Sequence, residues 1–367
     1  MLRAAGQTLR YARSWKQGSA PALHEVEVDR DGLRLPATLA TPSVHRGDLP
    51  GWIILGGITR MGRFHPQLVR FAHALAASGT AVLVPEIPEW RDLRLAPAVT
   101  LPTVRAAVQA LDARPEVRHG RYGLVGFSFG APQAVIASGR AEVGDRIASV
   151  LSFGGYCDLE RTLRCQLTGL HEWRGVTHRI DPDPYGRWVL ASNYLTAVPG
   201  YEDAGDVATA LRTLALASTD KRIPAWDASH DALKGEMRAG LPASRRELFD
   251  LFAQLAGVPL SGCERSEVMA LELAGACRRI EPLLDPVPQL ARARVPVHLF
   301  HGRGDRLVPY TESLRLRAEL PAATHASVTV TGLFAHSADH TPAAITDRLR
   351  ETWVFFRGLQ RALGSVR

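Results

Sequence analysis

Cysteine, lysine and long apolar stretches are all scarce in this 367-residue chain. The four cysteines, Cys157, Cys165, Cys263 and Cys277, are too few for a disulfide framework. None forms a C-x-x-C pair and no His/Cys cluster has zinc-like spacing, so free thiols and no metal are expected. No apolar run approaches the roughly 18 residues that a membrane-spanning helix needs, which argues against stable membrane insertion. Lysine occurs three times, at Lys16, Lys221 and Lys234, so arginine supplies nearly all of the 44 basic residues. Of the formal net charge of +7, four units (Arg3, Arg10, Arg13 and Lys16) precede the first acid, Glu25. No element interleaves clustered basic residues with aromatics, so a nucleic-acid partner is not expected.

The basic segment 1–23 also lacks an apolar stretch followed by a small-residue cleavage site, so secretion is not expected. A short extra helix packed on the body is the preferred reading. A cytoplasmic location follows, with organelle targeting or peripheral membrane attachment through this segment as the alternatives.

What the chain does have is alternation. Short β-rich apolar runs at 51–55, 80–84, 122–125, 148–153, 295–300 and 326–330 are mostly followed by helical patterns, at 67–77, 102–113, 131–138 and 310–320. Near-continuous apolar runs of this length fit strands buried on both faces. Alternating with helices, they predict an α/β fold with a doubly wound, mostly parallel sheet. Ahead of them, 25–29 and 33–40 flank Arg30-Asp31-Gly32, a hairpin signal for an antiparallel pair opening the sheet. The alternation stops between 157 and 289, where helical patterns at 207–217, 244–256 and 264–276 follow one another without a convincing strand. The expected organisation is a core of 24–156 and 290–367 with an inserted helical cap at 157–289.

The chemistry-bearing motif is Gly126-Phe127-Ser128-Phe129-Gly130, a G-x-S-x-G between a strand and a helix. A serine on so tight a turn needs small residues two positions either side, and the helix that follows aims N–H groups at an oxyanion. A serine hydroxyl needs a base. His336, in Gly332-Leu333-Phe334-Ala335-His336-Ser337 after the last strand, is at the sheet edge where such groups gather; His340 is its rival. The carboxylate that orients the imidazole is assigned to Asp305, in His301-Gly302-Arg303-Gly304-Asp305-Arg306-Leu307-Val308-Pro309, with Asp158 as the rival acid or a helix cap. The oxyanion hole is assigned to the N–H of Phe129 and, from Leu55-Gly56-Gly57-Ile58-Thr59, that of Ile58, with Gly57 next in line.

These three motifs, in the order Ser128, Asp305, His336, resemble the α/β-hydrolase superfamily over about residues 24–156 and 290–360. Many members carry His-Gly where this chain has Gly56-Gly57. The resemblance implies a serine hydrolase cleaving a carboxylic ester or thioester of a small molecule through an acyl-serine, with no cofactor. The same triad serves C–C or amide hydrolysis and acyl transfer, and a non-catalytic binding scaffold is the remaining alternative. In the insertion, Trp173, Tyr185, Trp188 and Tyr194 are read as packing residues before pocket-lining ones. His171, His178, Asp181 and Asp183 are read as turn and capping residues rather than metal ligands. Arg60, Arg63 and His65 are read as solvated surface rather than an anion site. The sequence carries no signal for an oligomeric state.

Overall fold

The structure is a computed structural model, and the residues it describes are 2–260, 264–333 and 345–366. The strands are β1 (Ala22–Arg30), β2 (Leu33–Thr41), β3 (Gly51–Leu55), β4 (Ala81–Pro85), β5 (Tyr122–Phe127), β6 (Ile147–Phe153), β7 (Leu170–Trp173), β8 (Val176–Arg179), β9 (Val297–Gly302) and β10 (Ala326–Thr331). Eight of them form one sheet in the order β1-β2-β4-β3-β5-β6-β9-β10. The expected hairpin opens it: Asp31 and Gly32 both take positive φ, 56° and 87°, which suits the twist of two paired strands. Only β1 and β2 run antiparallel to their neighbours, and every pair from β4 to β10 is parallel. The sheet is thus doubly wound and mostly parallel, as expected.

Helices α1 (Leu2–Gln17), α2 (Pro66–Ala77), α3 (Pro88–Arg91), α4 (Thr100–Asp112), α5 (Gly130–Ser138) and α6 (Ala141–Gly144) lie before the insertion. The insertion carries α7 (Leu159–Thr168), α8 (Tyr185–Tyr194), α9 (Gly205–Lys221), α10 (Asp231–Gly240), α11 (Ala243–Phe252), α12 (Glu264–Ile280) and α13 (Val287–Leu290). After it come α14 (Thr311–Glu319) and α15 (Ile345–Gly364). Alternate strand residues feed two apolar clusters, one per face. Trp52, Ile54, Val82 and Val125 pack with Tyr11 of α1, Phe71 of α2 and Leu359 of α15. Ile53, Leu55, Leu83 and Leu124 pack on the α4–α5 side, and the apolar residues of the insertion join this same cluster.

Three neighbouring strands carry phenylalanines in register, at the last residue of β5 and β6 and two residues before the end of β9. Phe127 pairs with Phe153 and Phe153 with Phe300, and their rings stack with centroids 4.9 and 4.7 Å apart.

Segment 1–23 contributes α1, which packs on the body. Tyr11 is buried with its ring edge-on to Phe71 at 5.7 Å, and the Arg10 guanidinium donates to the Ser78 carbonyl at 2.8 Å. Among the described residues no helix is long and apolar enough to cross a membrane.

The insertion is not purely helical. β7 and β8 form an antiparallel hairpin turned by Arg174 and Gly175, at φ 50° and 77°. Arg-Gly is a weaker turn signal than the Asn-Gly or Asp-Gly that usually mark such hairpins. The run of helices on either side hides it.

Candidate active site

Ser128 sits between β5 and α5 with φ +51°, a left-handed conformation that costs a residue with a Cβ about 1 kcal/mol or more. The turn around it leaves no choice of neighbours. A Cβ on Gly126 would overlap the Gly130 carbonyl oxygen and lie 2.6 Å from Ala131 Cα, and one on Gly130 would overlap the Gly56 carbonyl oxygen. Strand, elbow helix and the loop after β3 therefore touch backbone to backbone. The Ser128 N–H donates to the Phe153 carbonyl of β6 at 2.8 Å, and the Ser128 carbonyl accepts the Ala131 N–H at 3.0 Å, opening α5. Every residue of α5 is buried.

The loop after β3 lies against Ser128. A Cβ built on Gly57 would be 3.1 Å from Ser128 Cβ and 3.6 Å from its Oγ, so glycine lets the backbone reach the serine. The side chains of both expected oxyanion donors are buried. The Phe129 ring packs edge-on to Trp90 at 5.1 Å, which anchors its backbone beside Ser128. Among the described residues, neither the Phe129 nor the Ile58 N–H meets a hydrogen-bond acceptor.

Asp305 is 3% exposed on the loop leaving β9. Its Oδ1 accepts the N–H groups of Leu307 and Val308, both at 2.9 Å, and its Oδ2 lies 3.4 Å from His301 Nε2. His301 is wholly buried and braces this loop. Its Nε2 meets the Val308 carbonyl at 2.9 Å and its Nδ1 meets Ser313 Oγ at 2.7 Å. A carbonyl only accepts, so the network assigns the proton to Nε2. One strand, β6, separates β5 from β9, so the strand that leads to Ser128 and the strand that leads to the Asp305 loop run about 10 Å apart.

The expected base, His336, and its rival His340 lie outside the described residues. The described chain leaves β10 at the same sheet edge, because Thr331 pairs with Gly302 at the end of β9. There the Glu351 carboxylate of α15 accepts the Gly332 N–H. The rival acid Asp158 is engaged elsewhere: it caps α7, its Oδ1 accepting the Arg161 N–H at 3.0 Å.

The other singled-out residues hold the structure together. Arg63 is not solvated surface but a buried strut, 2.8 Å from Glu25 and 3.4 Å from Glu86. Burial raises the Glu86 carboxyl above its usual range against the pull of Arg91 and Arg63. The sequence missed Arg63 because its burial depends on the β1–β2 hairpin, which brings Glu25 to it from 38 positions away. Arg60 is half-exposed between Asp92 and Asp220, and His65 precedes α2 as its N-cap residue. His171 and His178 stack across the β7–β8 hairpin at 5.0 Å, Asp181 pairs with Arg306, and the Asp183 carboxylate accepts the Tyr185 N–H at 3.0 Å. Trp188 and Tyr194 are buried, with their polar atoms on the Phe252 and Leu95 carbonyls at 2.9 and 2.7 Å. Trp173 is half-buried, with the Arg174 and Arg315 guanidiniums over its ring at 5.4 and 5.8 Å. Cys157, Cys165 and Cys277 are buried free thiols, and Cys263 is outside the described residues. Two contributors had no signal at the level of motif, His301 and Tyr185, because their partners are supplied by the fold.

No family sequence profile matches the chain, and no curated protein matches it by sequence. Solved structures do align with it. Est1E from Butyrivibrio proteoclasticus is 17% identical with a TM-score of 0.49, covering 93% of this chain and 99% of that one. A 2,6-dihydroxy-pseudo-oxynicotine hydrolase is 16% identical with a TM-score of 0.48, covering 96% and 73%. A putative dienelactone hydrolase from Klebsiella pneumoniae is 13% identical with a TM-score of 0.47, covering 92% and 99%. At these identities and scores the fold rests on the strand order, the elbow and the loop packed against it: the chain has the α/β-hydrolase fold.

Proposed function

We propose that the chain is a serine hydrolase that cleaves a carboxylic ester or thioester of a small molecule through an acyl-Ser128 intermediate. The observation that carries this reading is Ser128 itself, held at positive φ on the elbow with the Gly57 backbone against its side chain. Hairpin turns such as those at Asp31 and Arg174 share the positive φ. What supports the reading is that Ser128 combines it with a strand-to-helix turn at a sheet edge and a glycine backbone against its side chain, the setting in which a nucleophile is presented.

His336 takes the Ser128 hydroxyl proton as Oγ bonds to the substrate carbonyl carbon, and Asp305 stabilises the imidazolium. The N–H groups of Phe129 and Ile58 meet the oxyanion, with Gly57 as the alternative second donor. Collapse breaks the bond to the alcohol or thiol, which leaves with the proton from His336. Water then repeats the cycle on the acyl-enzyme and releases the acid and the free serine. These steps call on side chains and backbone of this chain alone.

The test is labelling with a fluorophosphonate, which phosphonylates an activated serine. The wild type labels and hydrolyses p-nitrophenyl esters, whereas Ser128→Ala and His336→Ala do neither at a measurable rate. A wild type that stays unlabelled beside a reactive control hydrolase overturns the proposal.

A further inference from the structure

Two consecutive glycines give the loop after β3 more backbone freedom than any other pair of residues would. An oxyanion donor works by being fixed before charge develops, so that freedom has to be removed elsewhere. The far half of the loop is tied down: the Gly62 N–H donates to the Thr59 carbonyl at 3.0 Å, and Arg91 Nε to the Arg60 carbonyl at 3.1 Å. The near half continues from β3, where Leu55 pairs with Gly126. Between the halves is Ile58, and its carbonyl is held from the insertion: the Tyr185 hydroxyl donates to it at 2.9 Å, across 127 positions of sequence.

Tyr185 is itself well anchored at the first residue of α8. Its N–H donates to Asp183 Oδ1 at 3.0 Å, and the Asp183 N–H donates to the Arg306 carbonyl at 2.8 Å. Arg306 Nε returns to the Asp181 carbonyl at 2.7 Å, and Gln166 donates to the Leu307 carbonyl. The stretch 181–185 thus rests on the loop that carries Asp305 and reaches across to the loop that carries Ile58. Burial raises the phenol pKa far above its usual value, so the hydroxyl remains a donor throughout the working pH range.

We infer that Tyr185 is a positioning residue for the second oxyanion donor: its hydroxyl, by holding the Ile58 carbonyl, fixes the residue whose N–H meets the developing charge beside Ser128. The inference rests on the serine-hydrolase reading above. Phenylalanine would pack as tyrosine does, so the effect belongs to the hydroxyl alone. Held this way, the insertion sets the rate of the chemical step through its contact with the loop after β3.

The experiment compares wild type with Tyr185→Phe in p-nitrophenyl ester hydrolysis and in the rate of fluorophosphonate labelling, with thermal melting alongside. The expected result is a fall of about tenfold or more in both kcat and labelling rate, with KM within about twofold of wild type. A second variant carrying 4-aminophenylalanine in place of Tyr185 keeps an N–H donor and retains most of the rate; it also decides the matter should Tyr185→Phe fail to fold. Unchanged rates in Tyr185→Phe, a rise in KM alone, or an aminophenylalanine variant slowed as much as the phenylalanine one would each overturn the inference. Each leaves an active wild type. A wild type inert to both probe and ester overturns the serine-hydrolase reading instead, and the two failures are therefore distinct.

Discussion

The Glu312 carboxylate, on the first turn of α14, accepts the Cys157 N–H at 3.0 Å and shares the same oxygen with the Asp158 N–H at 2.9 Å. A buried acid of the core thus clamps the backbone where the insertion begins. Burial raises its pKa above the usual value of 4.5, outweighing the two N–H groups that favour the anion.

A raised folded-state pKa means that the folded protein binds the proton more tightly than the unfolded chain. Ionising Glu312 therefore costs stability as pH rises above about 4.5, and the cost is complete once pH exceeds the raised value. Glu312→Gln keeps a carbonyl oxygen for both N–H groups and has no charge to desolvate. Its melting temperature relative to wild type should improve steadily as pH is raised from about 4.5. A difference that stays flat with pH would show that Glu312 ionises as freely in the folded protein as in the unfolded one.

Gly126→Ala drives a methyl group into the Gly130 carbonyl and the Ala131 Cα. Neither is the end of a flexible side chain, so elbow and helix must separate. The expected loss is about 3 kcal/mol or more, read from chemical denaturation, and ester hydrolysis disappears with it. Tolerance within about 0.5 kcal/mol would mean that the elbow is looser than its contacts indicate.

Asp305→Asn retains an oxygen that accepts the Leu307 and Val308 N–H groups. The loop should keep its shape and the protein its melting temperature. Without the carboxylate the imidazolium is not stabilised, and kcat should fall by about ten-thousandfold. Near-normal turnover would remove Asp305 from the triad and return attention to other acids at that edge.

Arg187 is a buried cation bonded to three carbonyl oxygens. Its Nε reaches Phe252 O at 2.7 Å, Nη1 reaches Gln166 O at 3.0 Å, and Nη2 reaches Gln254 Oε1 at 2.8 Å. Burial lowers its pKa to about 10, and it still carries its charge at neutral pH. Arg187→Met fills the space of the stem and takes the donor from Gln166 O and Gln254 Oε1, while Phe252 O keeps the Trp188 indole N–H, at an expected cost of about 3 kcal/mol. The denaturation midpoint measures it, and a change under about 1 kcal/mol would show that the network is relieved by solvent.

The elbow was legible in the sequence because its constraint is local. Gly126, Ser128 and Gly130 are fixed by the sterics of one turn, and the apolar runs around them declare a strand and a helix. The turn after β9 was legible for the same reason, through the glycines around Asp305, whose buried carboxylate accepts backbone N–H groups there. Contacts made by distant chain segments were not. Nothing near Tyr185 indicates that its hydroxyl meets Ile58, nothing near Glu312 points to Cys157, and Arg63 reads as surface until β1 is folded over it. The β7–β8 hairpin sat between, its Arg174-Gly175 turn carrying a single glycine and only a weak signal among the helical patterns around it.

The stacked rings of Phe127, Phe153 and Phe300 act as a spacer bar. Phe127 and Phe153 end their strands and Phe300 lies two residues before the end of β9; Ser128 follows the first, and Asp305 lies five positions beyond the last. Ring-to-ring distance and strand-to-strand distance coincide, so the bar and the sheet enforce the same interval. The interval between the strand that leads to Ser128 and the strand that leads to Asp305 is therefore gauged by three side chains, and trimming the middle one would disturb it from within.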